Sequence, residues 1–167
     1  REPGGCEISE HIREVLVSPR GGKLSINSEI LLVNAARSEH LQQVINPALQ
    51  AGKIVLCDRY IDSTLVYQGY CNGGNTALIE YLHKNVCDNR WPDLTFFFDI
   101  EVSLAQARRE KRGESYLHHH LENIERQKAV AEGYKRLYSS RPGTIVINAS
   151  LPIEIQQQQI IGHILNL

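Results

Sequence analysis

Methionine is missing from the whole sequence of 167 residues. Translation starts with methionine, and that residue is ordinarily retained when the next one is as large as Arg1. We therefore expect the chain to be a fragment, a processed product or the product of an incomplete gene model.

The net charge of the chain is small, and long apolar runs are absent from its sequence. The formal net charge is -1, so no bulk positive field exists to hold a nucleic acid by its phosphates, and any phosphate site must be local. No apolar run approaches the roughly 20 residues that span a bilayer, and the start of the chain does not resemble a signal peptide. We expect a cytoplasmic protein that binds neither nucleic acid nor a membrane.

Cysteines are few and show no C-x-x-C pair; they are Cys6, Cys57, Cys71 and Cys87. Cys57 lies in an apolar run, so we expect free, buried thiols in a reducing cytosol rather than disulfides or a metal site. The consecutive histidines at 118–120 do not change this expectation, because adjacent residues on a helix do not converge on one ion.

Three short apolar runs are predicted to form buried strands: residues 53–57, 94–98 and 144–147. Their apolar residues are continuous rather than alternating, as in a parallel sheet that is covered on both faces. Helical spacing is found at residues 8–16, from 25 or 28 to 44, and at 63–70, 76–86, 102–112, 122–138 and 152–167, with Pro152 at position N1. The chain is therefore predicted to be one α/β domain with a doubly wound parallel sheet, whose ligands bind at the carboxyl ends of the strands.

The first predicted strand is followed by Asp58 and Arg59. A carboxylate at a strand tip can hold the hydration shell of Mg²⁺, and an arginine fork can bind phosphate oxygens, although a surface ion pair is the alternative. A predicted helix start that attracts anions comes next, with polar and aromatic side chains at Asp62, Ser63, Thr64, Tyr67 and Gln68. This segment is the strongest candidate for an anion site.

Three weaker signals lie elsewhere. Residues 1–5, Arg-Glu-Pro-Gly-Gly, form a turn that is functional only if a ligand approaches the backbone closely. Arg37 ends an apolar helical stretch, so it either leaves the core or pairs with a buried partner. A run of cations leads into Gly113, and these either complement a helix dipole or form a lid over a phosphoryl group; they are Arg108, Arg109, Lys111 and Arg112.

Taken in order, several stretches closely resemble the bacterial thymidylate kinase family: REPGG, LLVNAARSEHLQQVINPALQAGKIVLCDRYIDSTLVYQGY, WPDLTFFFDI, ARREKRGE and VAEGYKRL. The resemblance runs from residue 1 to about residue 150. It implies a P-loop kinase with a three-layer, doubly wound parallel sheet whose first two strands are absent from this chain. It also implies transfer of the γ-phosphoryl group of Mg-ATP to dTMP, giving dTDP and ADP, by a homodimer.

The resemblance also implies roles for single residues. Arg59 would hold the acceptor phosphate, Asp58 would organise Mg²⁺ through water, and Arg37 would read the thymine edge. Three side chains would contact the base or sugar, namely Thr64, Tyr67 and Gln68. The loop bordering the monophosphate would be formed by Glu2, Pro3, Gly4 and Gly5. Arg108 and Arg112 would belong to an ATP-side lid at about residues 108–125.

The sequence departs from the family in three places. It contains no G-x-x-x-x-G-K-[ST] loop, Val33 stands where many relatives carry a phenylalanine that stacks on thymine, and residues 122–125 differ from the usual lid pattern. Without the first strands, residues 53–57 and 94–98 would have unpaired edges, so we expect residues 1–167 alone to be unstable and inactive with ATP. The alternatives are a related deoxynucleoside or nucleotide kinase and a noncatalytic nucleotide-binding remnant.

Overall fold

The computed structural model describes residues 1–18, 24–111, 124–139 and 141–166. These residues form two compact units, Arg1–Trp91 and Pro92–Leu167. Within the described ranges, no helix is both long enough and apolar enough to cross a membrane.

The first unit is helical. Its helices are α1 (Glu7–Val17), α2 (Ile26–His40), α3 (Asn46–Gln50), α4 (Ile61–Thr64) and α5 (Thr76–Val86). A π-helical turn at Leu41–Ile45 joins α2 to α3, and a second one at Leu65–Cys71 extends α4. The helices predicted from spacing are confirmed, and Asn46–Pro47 opens a fresh first turn rather than ending the helical run.

Short polar side chains set the starts of α2 and α5. Ser25 accepts a hydrogen bond from the backbone of Ser28 at 3.2 Å, and Asn75 accepts one from Leu78 at 3.2 Å. Each cap satisfies an amide that the helix itself leaves without a partner. Both helices then bury apolar side chains in the core of this unit, which includes Ile30, Ala36, Leu41, Ile61, Leu65, Val66 and Ile79.

The prediction of a buried strand at residues 53–57 is wrong. This segment is assigned to no strand, and Ile54 and Leu56 are 70% and 77% exposed. A strand exists only through hydrogen bonds to a neighbouring strand, and none of the strands in the described ranges pairs with this segment. The apolar run therefore has no regular secondary structure, and the backbone amide of Lys53 donates to the carbonyl of Ala48 at 3.0 Å.

The second unit contains the sheet. Its elements are β1 (Thr95–Asp99), α6 (Val102–Lys111), α7 (Ile124–Tyr138), β2 (Thr144–Asn148) and α8 (Ile153–Ile164). The two strands are parallel, with Thr95 opposite Thr144. The other two predicted strands are thus confirmed, and so is the α/β class with a parallel pair. Pro152 proves to be the cap residue of α8 rather than its first helical residue.

Burial of the two strands is less complete than their apolar sequences predict. Phe98 of β1 is 49% exposed and Val146 of β2 is 59% exposed. Phe97 is covered instead, because the ring of Tyr138 packs 4.9 Å from it and that of Tyr134 packs 5.7 Å from it, centroid to centroid. One face of this pair of strands therefore carries a cluster of three aromatic rings.

All four cysteines are free, but the prediction that they are buried holds for Cys87 alone. The other three are half-buried. Burial raises the pKa of the Cys57 thiol from an ordinary 9.0 to about 11, and the Glu2 carboxylate acts in the same direction. Burial likewise raises the pKa of Cys87 to about 11.

This shift predicts slow alkylation of Cys57. Only the thiolate reacts, so a pKa of about 11 lowers the reactive fraction at pH 8 roughly a hundredfold relative to an ordinary thiol. Iodoacetamide labelling followed by peptide mass spectrometry measures the rate. The same peptide labelled in denaturant is the control, and equal rates in both conditions would contradict the prediction.

Candidate functional site

Among the described residues of the first unit, Arg37 is the most deeply buried charged side chain, at 1% exposure. Its Nε donates to Glu2 Oε2 at 2.7 Å, and its Nη2 donates to Thr64 Oγ1 at 2.8 Å. Its Nη1 donates to Asn34 Oδ1 at 3.3 Å. Arg37 therefore pairs with a buried partner instead of extending to solvent, which is what allows a charge to stay in the core.

Glu2 ties three parts of the chain together. One carboxylate oxygen accepts from Arg37, and the other lies 3.1 Å from His40 Nδ1. A carboxylate in an ion pair only accepts hydrogen bonds, so the proton of this contact belongs to His40 Nδ1. The backbone amide of Glu2 donates to the carbonyl of Asp58 at 2.9 Å. We call Glu2, Asn34, Arg37, His40 and Thr64 the Arg37 cluster.

Aromatic side chains border the Arg37 cluster. The guanidinium carbon of Arg37 lies 5.0 Å from the ring centroid of Tyr60, and the ring of His83 lies 5.7 Å from the same ring. Burial lowers the pKa of His83 to about 4, with the positive charge of Arg37 acting in the same direction. His83 is therefore neutral at physiological pH, and Arg37 retains Glu2 as its charged partner.

The loop at residues 2–5 is held by side chains of α1. Arg13 Nη1 donates to the carbonyl of Pro3 at 3.0 Å, and the backbone amide of Gly5 donates to Glu10 Oε1 at 3.0 Å. Gly4 and Gly5 have φ angles of 123° and 102°, which side chains rarely adopt. The loop thus has a defined shape, with its two glycines where only glycine is unstrained.

Gly5→Ala is expected to destabilise the protein by about 3 kcal/mol or more, because the backbone angle alone costs about 1–3 kcal/mol. The added Cβ would also overlap the ring of His40. Gly52→Ala is the matched control, since Gly52 has a φ of 70° with no heavy atom within 4 Å of an added Cβ. That change should cost about 1 kcal/mol. Denaturant unfolding measures both, and equal losses would contradict the prediction.

Asp58 and Arg59 lie exposed directly after segment 53–57. Arg59 has a φ of 63°, in the left-handed region that non-glycine residues seldom occupy. Its guanidinium carbon lies 5.1 Å from the ring centroid of Tyr67. The structure thus presents one arginine to solvent at Arg59 and keeps another in the core at Arg37.

The remaining predicted contact residues have different partners. Thr64 belongs to the Arg37 cluster, Tyr67 lies beside Arg59, and Gln68 donates to Glu29 at 3.2 Å. In the second unit, Arg108 Nη1 donates to the carbonyl of Ala149 at 2.7 Å. Arg112, the histidines at 118–120 and most of the predicted lid lie outside the described residues.

One group of potential metal ligands occurs in the described residues. Ligand atoms of Glu2, His40 and Cys57 lie within 4.8 Å of one another. The contacts do not favour a metal centre, because Glu2 already pairs with Arg37 and the Cys57 thiol donates to the carbonyl of Arg59 at 3.2 Å. Burial also favours the protonated thiol over the thiolate that a metal binds.

Sequence reasoning missed Asn34 and His40. Both flank Arg37 at a spacing of three residues, which places all three side chains on one face of α2. Polar residues at that spacing after the apolar stretch 30–33 indicate a buried polar cluster, and this was the available signal.

Helices combined with a parallel pair of strands, a glycine loop and two arginines suited to anions are features of nucleotide-binding α/β proteins. The model of the thymidylate kinase family matches residues 1–160. A thymidylate kinase of Magnetococcus marinus is 40% identical over 156 residues, covering 93% of this chain and 74% of the relative. One of Trichodesmium erythraeum is 41% identical over 162 residues, covering 96% and 72%. The chain belongs to the thymidylate kinase family, which has a P-loop α/β fold.

Proposed function

We propose that the protein transfers the γ-phosphoryl group of ATP to dTMP, giving dTDP and ADP. Family membership over residues 1–160 is the observation that carries this proposal. In the structure, the backbone hydrogen bond from Glu2 to Asp58 supports it, because this contact joins the Arg37 cluster to the exposed pair Asp58 and Arg59. The Arg37 cluster would hold the base of a nucleotide, and Asp58 and Arg59 would hold its phosphate.

The phosphate end of the acceptor requires positive charge rather than a general base. The second pKa of a phosphomonoester is about 6, so dTMP is mostly dianionic at pH 7 and already nucleophilic. Arg59 would bind the acceptor phosphate through its planar fork, bordered by the loop of residues 2–5. The exposed carboxylate of Asp58 fits the hydration shell of Mg²⁺, an ion that neutralises charge on the phosphoryl group in transfer.

The base end would use the Arg37 cluster. Arginine has five N–H donors, and the bonds to Glu2, Asn34 and Thr64 use three of them. The other two would serve a carbonyl of thymine, and because Arg37 is 1% exposed, the side chains that cover it would have to move when dTMP binds. The base or sugar of dTMP would also contact Tyr67 and Gln68. Because Val33 is not aromatic, the base would have no stacking partner at that position.

The ATP side is proposed from the resemblance alone. Arg108 and Arg112 would belong to a lid at about residues 108–125 of a single kinase domain. The sequence contains no G-x-x-x-x-G-K-[ST] loop, so residues 1–167 by themselves should not turn over ATP. Kinetic experiments therefore use the native gene product that contains these residues.

The function is tested by a coupled assay of ADP formation with a panel of acceptors. We expect turnover that depends on dTMP, with dTMP preferred over dUMP by about 10–200-fold, since one methyl group contributes about 1–3 kcal/mol. Turnover with a different acceptor would instead assign a related kinase. Nucleotide binding without any turnover would assign a noncatalytic binding protein.

A cytoplasmic homodimer completes the proposal. Leu31 and Val44, on the apolar helical run of α2 and its π-helical turn, are 54% and 39% exposed. An interface between copies would cover them. Light scattering gives the mass in solution, and a monomer at micromolar concentration would overturn the dimer.

A further inference from the structure

We infer that His40 is a positioning residue of the acceptor site, which acts through Glu2 to orient Arg37. The inference rests on the proposed function, in which Arg37 reads the base and the loop of residues 2–5 borders the phosphate. His40 itself would contact neither substrate nor reacting atoms.

The first observation is the hydrogen-bond chain that begins at His40. His40 Nδ1 lies 3.1 Å from one oxygen of Glu2, and Arg37 Nε lies 2.7 Å from the other. His40 and Glu2 are only 5% and 4% exposed, so water has little access to replace either contact. If the imidazole is lost, one oxygen of the buried carboxylate has no donor, and only the bond from Arg37 Nε still orients the other oxygen. Arg37 keeps its bonds to Asn34 and Thr64, but its bond to Glu2 loses the fixed geometry that His40 provides.

The second observation is the contact between His40 and Gly5. A Cβ added at Gly5 would overlap the Nε2 edge of the His40 ring, so the loop backbone passes directly against the imidazole. The ring therefore touches both Glu2 and Gly5, at the two ends of the loop of residues 2–5. His40 and Arg37 both lie on α2. The His40 ring therefore sets the distance between the loop of residues 2–5 and Arg37.

The third observation concerns the backbone that holds the ring. His40 is the last residue of α2, and the π-helical turn Leu41–Ile45 follows directly. The backbone amide of Leu41 reaches the carbonyls of both Arg37 and Ser38. Arg37 and His40 are therefore joined through side chains and through the same helical turn, and π-helical turns are frequent at functional sites.

Two variants separate positioning from packing. His40→Asn places an amide nitrogen where Nδ1 lies and can still donate to Glu2, whereas His40→Leu fills the space without a donor. We expect His40→Leu to raise the KM for dTMP about tenfold, with the KM for ATP changed less than twofold. His40→Asn should stay within about threefold of the unaltered protein. Equal effects of the two variants, or an equal rise in both KM values, would overturn the inference.

Leu41→Ala is the control for loss of packing. Leu41 is the next residue, is 1% exposed and packs in a cluster with Ile45 and Cys87. This variant should lower stability while leaving the KM for dTMP unchanged in assays below its melting temperature. A KM effect as large as that of His40→Leu would show that general destabilisation explains the result.

A readout without turnover distinguishes this inference from the proposed function. The Nε–H signal of Arg37, assigned by its loss in Arg37→Lys, reports the bond to Glu2 by hydrogen exchange in NMR. We expect exchange at least tenfold faster in His40→Leu and near the unaltered rate in His40→Asn. Absence of dTMP-dependent turnover with this exchange pattern would reject the proposed function alone. Unchanged exchange in His40→Leu would reject the role of His40.

Discussion

Arg59→Ala should lower kcat/KM for dTMP about a thousandfold in the native gene product. Catalysis of phosphoryl transfer consists mainly of positioning and charge stabilisation. An arginine on the transferring group contributes about 10³–10⁵-fold, and we expect one that positions and neutralises the acceptor phosphate to fall at the lower end of this range. Arg59 is suited to this task because it is exposed, follows directly on Asp58 and lies against the ring of Tyr67. Steady-state kinetics with varied dTMP measure the loss.

Arg59→Lys is the matched control for charge. It keeps one positive charge but loses the planar fork, so we expect activity between that of the alanine variant and the unaltered protein. Arg59→Gly tests the backbone separately, since glycine adopts the observed φ of 63° without strain. Full activity of Arg59→Ala would mean that another cation holds the acceptor phosphate.

The fold was predictable where a pattern depends on near neighbours. Helical spacing located α1, α2 and α5 within a few residues, and apolar runs located β1 and β2. The same reasoning failed at residues 53–57, because an apolar run becomes a strand only when another strand bonds to it. Long-range pairing is not encoded in the run itself.

The site shows the same division. The resemblance directs attention to Arg37 and Glu2 separately, but nothing in their spacing indicates that they meet. Their 2.7 Å ion pair joins residues 35 positions apart, and it exists because loop and helix pack together. A buried arginine requires a partner, and only the structure identifies that partner as Glu2.

Glu2→Met is expected to lower the free energy of unfolding by about 3–5 kcal/mol. The change leaves the guanidinium of Arg37 buried at 1% exposure without its carboxylate, and an uncompensated buried charge costs that much. His40 loses its acceptor at the same time. Denaturant unfolding of the native gene product measures the loss.

The double variant Glu2→Met, Arg37→Met tests the cause of that loss. If the unpaired charge is responsible, replacing both partners by apolar side chains should recover at least about 2 kcal/mol relative to the sum of the single variants. Lys128→Met is the surface control, since its pair with Glu125 at 3.4 Å is 58% and 73% exposed and should contribute less than about 0.5 kcal/mol. Additive losses for Glu2 and Arg37 would show that each acts through packing alone. If the double variant recovers stability but not dTMP binding, the ion pair is needed to recognise the base. Two apolar side chains can fill the core, but they cannot donate a hydrogen bond to a base.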